Sequence, residues 1–166
     1  MANKKKIANV LANRYASAEL AELWSPEHKI VLERRLWIAV LKAQAARGIE
    51  VPEGTVEKYE AVIDQVDLDS IAERERVTRH DVKARIEEFC ALAGTEHIHK
   101  GMTSRDLTEN VEQLQILQSL QAVRDKAVAV VARTAEKAAA YQSLVMAGRS
   151  HHVAAQATTL GKRFAS

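Results

Sequence analysis

Between Thr103 and Ala147 the chain contains neither glycine nor proline, the two residues that most often end a helix. Apolar residues recur there at spacings of three and four, the period of one helical face. A single helix of this length would extend on the order of 60 Å at about 1.5 Å per residue. A compact domain of this size cannot cover such a helix by itself, so the pattern predicts partner helices. The apolar seam comprises Leu107, Val111, Leu114, Leu117, Leu120, Val123, Ala127, Val131, Ala135 and Ala138.

Shorter helices are predicted before this long one. Ser25 is a typical N-cap, Pro26 suits the first helical position, and Gly48 is typical of the residue just after a helix end. Amphipathic patterns predict further helices within residues 51–66, 67–77 and 78–94, and Gly94 is expected to end the last of them.

The remaining chain completes the predicted architecture. From about Val153 the sequence again has a helical pattern that continues to the last residue. The fold class is therefore predicted as all-α. A small N-terminal helical domain is expected over residues 1–102, and the first long helices of a bundle are expected over residues 103–166.

Composition supports a helical protein and excludes several classes of function. Six glycines, two prolines and 4% aromatic residues are too few for a turn-rich β fold. The 24 basic and 22 acidic residues nearly balance, so no strong field marks a nucleic-acid or membrane binder. The basic start "MANKKK" lacks the apolar stretch of an export signal and is interpreted as a solvated terminus. A single cysteine, Cys90, excludes an internal disulfide and fits a cytoplasmic protein.

Polar residues that could take part in binding or catalysis lie at the predicted helix boundaries: Arg14 with Tyr15, residues 78–81, residues 97–106 and residues 149–152. Each set has an ordinary structural interpretation, as caps, surface pairs or solvated arginines. A helix N-terminus also attracts anions, since it presents unpaired N–H groups and the positive end of the helix dipole. Neither the adjacent histidines nor His97 with His99 has further ligands at metal spacing, so no metal is expected.

Taken in series, four stretches resemble one family. "RYAS", "TRHDVKARIEEF", "HIHKGMTSRDLTENV" and "MAGRSHHVAAQATTLGKR", in this order, resemble the N-terminal part of the adenylosuccinate lyases, which belong to the fumarase and aspartase superfamily. The resemblance covers the chain from about Arg14 to its end. It implies a lyase without cofactor that eliminates fumarate from adenylosuccinate to give AMP, and from SAICAR to give AICAR.

The resemblance also implies roles for individual residues. His151 corresponds to the family's general acid and base, which protonates the departing nitrogen, and imidazole suits this because its pKa lies near neutrality. Thr103 and Ser104 would bind a carboxylate of the succinyl group. Residues expected on the nucleotide side are Arg14, Tyr15, Arg79, His80 and Asp81, with His99 as a further candidate near the site and His152 without a role.

The same resemblance implies that essential parts lie elsewhere. The family's catalytic base is a serine on a glycine-rich loop, and no matching loop occurs in this sequence. Family members act as homotetramers whose sites draw on three subunits. The 166 residues alone are therefore expected to be inactive, and the exposed apolar seam is expected to drive self-association.

Two alternatives stay open at this stage. The chain could be a non-catalytic helical self-association module whose polar junctions are only helix caps. It could also belong to another lyase of the superfamily, such as an argininosuccinate lyase or a fumarase, although the "RY" and "TRHD" stretches favour a nucleotide. An RNA-binding function would rest only on "NKKK" and is disfavoured.

Overall fold

The computed structural model describes residues 9–166, and these are predominantly helical, as predicted. The predicted solvated terminus "MANKKK" lies outside the described residues. Two compact units are present, one up to Leu117 and one from Gln118 to Ser166, and the boundary lies within the longest helix. The proposed division between residues 102 and 103 stays a prediction.

Seven helices account for most of the first unit and for the beginning of the second. Side chains cap several of them as the sequence predicts, and Ser25 Oγ accepts a hydrogen bond of 3.1 Å from the His28 N–H. Gly48 and Gly94 both have positive φ, at 81° and 65°, close behind helix ends. The helices are α1 Val10–Tyr15, α2 Ala18–Leu23, α3 Pro26–Ala45, α4 Thr55–Glu60, α5 Leu68–Thr78, α6 Asp81–Ala93 and α7 Ser104–Ala140.

The core of the first unit forms where α3, α4 and α6 pack together with the start of α7. Trp37 of α3 stacks on Phe89 of α6 with ring centroids 6.3 Å apart, and Tyr59 of α4 lies 4.8 Å from the same ring. Burial of large aromatic side chains supplies much of the hydrophobic stabilisation of a small core. The cluster comprises Trp37, Ile38, Leu41, Tyr59, Val82, Phe89, Cys90, Ala93, Ile98 and Leu107.

The second unit departs from the prediction. The long helix ends at Ala140, and the predicted helix from Val153 to the chain end is wrong. Instead, strands β1 and β2 form an antiparallel hairpin, and only a short helix, α8, follows. The elements are β1 Val145–Ser150, β2 Val153–Thr159 and α8 Leu160–Ala165.

The hairpin has an identifiable cause in its turn. His151 and His152 have φ of 49° and 65°, and two consecutive positive values match the two-residue turns whose twist suits a hairpin. Such turns usually carry Asn-Gly or Asp-Gly, so a His-His pair gives no standard signal in the sequence. The strand register shifts at Gly148, between Ala147 and Arg149, which indicates a β-bulge.

Alpha-helix α8 packs closely on the end of α7 within the second unit. The backbone N–H of Gly161 donates to the Tyr141 carbonyl at 2.8 Å, and that of Leu160 donates to the Leu144 carbonyl at 2.9 Å. A Cβ at position 161 would lie 2.5 Å from the Ala138 carbonyl oxygen and 2.6 Å from the Gln142 backbone. Glycine is therefore required here by the close approach of two backbones.

The apolar seam of α7 changes character along the helix. Leu107 and Val111 are buried in the core of the first unit, so the prediction of an exposed seam is wrong for its first turns. The later residues, apart from the half-buried Ala138, are exposed, which leaves a row of apolar side chains without a partner in residues 9–166; its large members are Leu114, Leu117, Leu120, Val123 and Val131. Between Asn9 and Ser166, no helix combines the length and apolarity needed to cross a bilayer.

Candidate functional site

The start of α7 is built around a reciprocal cap. Thr103 Oγ1 accepts a hydrogen bond of 3.1 Å from the Arg105 N–H, and Asp106 Oδ2 accepts one of 2.8 Å from the Thr103 N–H. This is the capping-box arrangement with an aspartate in place of the usual glutamate. Thr103 and Asp106 therefore cap the helix, which is the ordinary structural interpretation of this stretch of sequence. Ser104 occupies the first helical position.

The start of α6 lies against the start of α7. His80 is the N-cap of α6, where its Nδ1 accepts a long hydrogen bond of 3.4 Å from the Lys83 N–H. Its other nitrogen, Nε2, lies 3.4 Å from Ser104 Oγ. Two stretches that the sequence separates by more than twenty residues therefore meet through one imidazole and one hydroxyl.

Asp81 lies next to His80 and carries a carboxylate that is ionised at neutral pH. Its Oδ1 lies 3.4 Å from His80 Nδ1, and its Oδ2 accepts a hydrogen bond of 3.0 Å from Arg85. Partial burial would raise the pKa of Asp81, but a hydrogen bond from the Val82 N–H and the Arg85 guanidinium outweigh it and hold the pKa below its ordinary value.

Arg79 stands at the sharp connection between α5 and α6. Its φ of 57° places it in the left-handed region, and its backbone N–H donates to the Glu75 carbonyl to end α5. The Thr78 hydroxyl donates to the His80 carbonyl at 3.1 Å, which tightens the connection. The Arg79 side chain is exposed, so its guanidinium is accessible to an anionic ligand.

His99 lies on the link that leads to α7, and a core residue holds its ring. The Trp37 indole N–H donates to His99 Nδ1 at 3.0 Å, and the His99 backbone has a φ of 64°. Burial lowers the pKa of His99, the Asp106 carboxylate raises it, and His80 lowers it further, so that the net direction is downward. His99 therefore lies in the electrostatic neighbourhood of the starts of both α6 and α7.

Two largely buried ion pairs join α6 to α3 and so support the positions of His80 and Asp81. Arg85 Nε lies 2.7 Å from Oε2 of the fully buried Glu33, which joins α6 to α3. Arg34 of α3 donates to Glu88 Oε2 at 2.6 Å, and both side chains are almost completely buried. Arg34 also donates to the carbonyls of Val62 and Ile63 at 3.0 and 2.8 Å. These contacts fix α6, and with it His80 and Asp81, relative to α3.

Other predicted residues lie apart from this cluster. Arg14 and Tyr15 end the short helix α1, and both are exposed; no contact in residues 9–166 joins them to His80, His99 or Ser104. His151 belongs to the second unit, where it forms the hairpin turn with His152. Arg149 steadies this turn by donating to the His152 carbonyl at 3.0 Å.

Three residues that support the candidate site were not predicted from the sequence. Trp37, Arg85 and Glu33 contact the candidate residues or their neighbours, but each lies inside a helix as an ordinary member of its pattern. No motif marks them. An arginine and a glutamate on the apolar side of helices were the only available signal, since buried charges require partners.

Comparison with known proteins places these features in a family. A family model described as a lyase matches residues 15–166. The adenylosuccinate lyase of Schistosoma mansoni is 32% identical over 158 residues, covering 93% of this chain and 33% of that protein. The adenylosuccinate lyase of Methanocaldococcus jannaschii is 32% identical over 167 residues, covering 98% of this chain and 36% of that protein.

The fold has close counterparts among solved structures. The beta-carboxy-cis,cis-muconate cycloisomerase of Acinetobacter calcoaceticus superposes with a TM-score of 0.80 at 21% identity, covering 93% of this chain and 38% of that one. The chain spans about a third of the length of the curated relatives that it matches.

Proposed function

Since the chain belongs to this lyase family of the fumarase and aspartase superfamily, we propose that it is the N-terminal third of an adenylosuccinate lyase. The proposed activity is that of a carbon–nitrogen lyase in purine nucleotide biosynthesis. It eliminates fumarate from adenylosuccinate to give AMP, and from SAICAR to give AICAR. The proposed location is the cytoplasm. The proposed reaction requires no cofactor.

One observation carries the proposal within the first unit, namely the contact between His80 Nε2 and Ser104 Oγ at 3.4 Å. It joins a residue assigned to the nucleotide side to one assigned to the succinyl side. A ligand with a purine nucleotide at one end and two carboxylates at the other fits such a junction. The start of α7 offers hydroxyl groups and a positive helix dipole to a carboxylate, and Arg79 offers a guanidinium to a phosphate.

The proposed chemistry distributes the remaining steps. A base removes a proton from the carbon beside a carboxylate, the electron pair forms the carbon–carbon double bond of fumarate, and the carbon–nitrogen bond breaks. His151 gives a proton to the departing nitrogen. By resemblance, the base is a serine on a loop that these 166 residues do not contain. Arg14 and Tyr15 are proposed to hold the phosphate end from another copy of the chain.

Ligand binding tests the nucleotide assignment without requiring turnover. Titration calorimetry with AMP should give a measurable affinity that adenosine lacks, since the phosphate supplies the charge. Arg79→Ala should weaken it about tenfold or more, as expected for a lost charge-assisted contact. Arg47→Ala is the matched control, because Arg47 is exposed just after α3 and its guanidinium donates to the Ala43 carbonyl of that helix.

Equal effects of the two substitutions, or no AMP binding, would favour the self-association module instead.

A second test concerns activity. Fumarate release from adenylosuccinate, followed by absorbance, should be absent from the 166-residue chain, because loss of the base removes most of the acceleration. Turnover at ordinary enzyme rates would overturn that part of the proposal.

Assembly of several copies, up to the tetramer of the family, is proposed from the exposed part of the α7 seam. Leu120 is 61% exposed and Val131 is 66% exposed, which is unusual for large apolar residues in one row. Multi-angle light scattering should show self-association that Leu120→Glu weakens about tenfold. Gln121→Glu on the neighbouring exposed position is the control. A monomer over a wide concentration range would contradict the proposal.

A further inference from the structure

The imidazole of His99 accepts a hydrogen bond from a donor in the core. Trp37 is 1% exposed in the middle of α3, and its indole N–H reaches His99 Nδ1 at 3.0 Å. The two rings meet edge to face, with centroids 5.9 Å apart and planes at 87°. This contact links the candidate site directly to the aromatic core, and nothing in the resemblance assigns it a role.

The chemistry of the two rings permits only one arrangement of protons. Indole nitrogen is a donor and cannot accept, so His99 Nδ1 must be the acceptor. A neutral imidazole carries one proton, which then resides on Nε2. The other tautomer would place two N–H groups face to face and lose the hydrogen bond, at a site where burial makes that loss costly. A tyrosine or a glutamine in place of Trp37 would allow either tautomer.

The surroundings keep the ring neutral. The pKa of His99 lies below its ordinary value because burial disfavours the charged form, and His80 adds to this. The titratable groups that face His99 are the Asp106 carboxylate, which opposes the shift, and the His80 imidazole. Among residues 9–166 the recorded hydrogen bond of the His99 ring is the one at Nδ1, and Nε2 is not among the buried unpaired atoms, so this donor is available to a ligand.

We propose that Trp37 is a positioning residue that holds His99 in its neutral Nε2–H form, so that His99 offers one fixed N–H donor to an anionic oxygen of the substrate. A neutral donor does not compete with the acid and base that move protons, and it cannot be converted into an acceptor while Trp37 stays in place. The substrate in this statement rests on the proposed function, whereas the tautomer does not.

The tautomer can be measured on the ligand-free 166-residue chain by nitrogen-15 NMR of its histidine rings. We expect His99 to show a protonated Nε2 and an unprotonated, hydrogen-bonded Nδ1, and the Trp37 indole proton to exchange slowly with solvent. A protonated Nδ1, or rapid exchange between both tautomers, would overturn the proposal. This readout needs no ligand, so a failure to bind AMP would count against the proposed function and leave the assignment of Trp37 intact.

A pair of matched substitutions separates positioning from packing. Trp37→Phe keeps an aromatic ring in the core but removes the donor, so the pKa of His99 should rise and the hydrogen-bonded Nδ1 signal should be lost. Trp24→Phe is the control, because Trp24 is 51% exposed and should leave His99 unchanged. If Trp37→Phe folds, as judged from its amide spectrum, and leaves both His99 signals unmoved, the proposal is wrong. If it does not fold, the measurement on the unsubstituted chain decides.

Discussion

The two units stabilise their elements in different ways. In the first, charged side chains are enclosed together with aromatic ones: Arg34, Glu33 and Glu88 are at most 2% exposed, and the Arg34 guanidinium lies 4.5 Å from the centre of the Phe89 ring. In the second, the hairpin strands are largely exposed, and the close contact is between the backbones of α7 and α8 at Gly161. The first unit has a core of its own, whereas the second relies on backbone hydrogen bonds and a few ring contacts.

Because of this difference, the candidate residues of the two units are held in place in different ways. His80, Asp81 and His99 are held by helices whose relative positions are determined by buried side chains, so their geometry depends on the core. His151 is held by a two-residue turn, and its conformation depends on local backbone geometry. Substitutions should therefore disturb one unit at a time, and three experiments examine this.

The largest effect is expected from the buried ion pair. Arg34→Met leaves Glu88 buried without its partner and removes the contacts to the Val62 and Ile63 carbonyls, so we expect a loss of about 3–5 kcal/mol in the free energy of unfolding. Urea denaturation followed by tryptophan fluorescence measures it. The control is Lys42→Met in the exposed pair with Glu60, which should cost less than about 1 kcal/mol. Equal losses would contradict a stabilising core in the first unit.

A somewhat smaller effect is expected from pH. Burial raises the pKa of Glu33 from 4.5 to about 7, since desolvation outweighs the attraction of Arg85. The folded chain then keeps a proton that the unfolded chain releases, so stability from this group is lost as pH rises from 4.5 to about 7. The loss amounts to about 3 kcal/mol.

This pH dependence is tested by difference. Position 33 cannot titrate in Glu33→Gln, so the loss of stability that Glu33 causes between pH 4.5 and about 7 should be absent from this variant. Glu60→Gln, in an exposed ion pair, should keep the original slope. Parallel pH profiles for Glu33→Gln and the unsubstituted chain would show that Glu33 ionises with its ordinary pKa.

The smallest effect is expected in the second unit. Gly161→Ala places a Cβ about 2.5 Å from the Ala138 carbonyl, so α8 must shift, at a cost of about 1–3 kcal/mol. Amide hydrogen exchange of Leu160 and Gly161 reports the opening of this junction, while amides of α3 and α6 should stay protected. Gly148→Ala is the graded control, because its Cβ would lie 3.1 Å from the Gln156 carbonyl. Loss of protection throughout the first unit would show that the units are not independent.

Much of the first unit was predictable because its signals are local. Ser25, Pro26 and Gly48 delimit α3, and Gly94 ends α6, since capping and left-handed conformations depend on a few adjacent residues. The candidate residues could be named from four short stretches. The bonds that position them could not, because the Trp37 partner of His99 is distant in sequence and the pattern of α3 has the same period with or without that contact.

The hairpin shows the opposite case. Alanine-rich residues 153–157 suit a helix by intrinsic propensity, and His151 with His152 lacks the residues that usually mark a tight turn. Cross-strand pairing and the packing of α8 on α7 outweigh that propensity, which is worth only a few tenths of a kcal/mol per residue. A weak local preference therefore lost to non-local contacts.

The amino-acid sequence by itself determined the helical class, the limits of the core helices and the family, because periodicity, caps and short motifs are properties of neighbouring residues. Only the tertiary structure decided that residues 145–159 form a hairpin, that Leu107 and Val111 belong to a core, and that His80 meets Ser104 while Trp37 holds His99. Each of these depends on which segments pack together, and burial and hydrogen bonding between distant residues choose among arrangements that local preferences leave nearly equal in free energy.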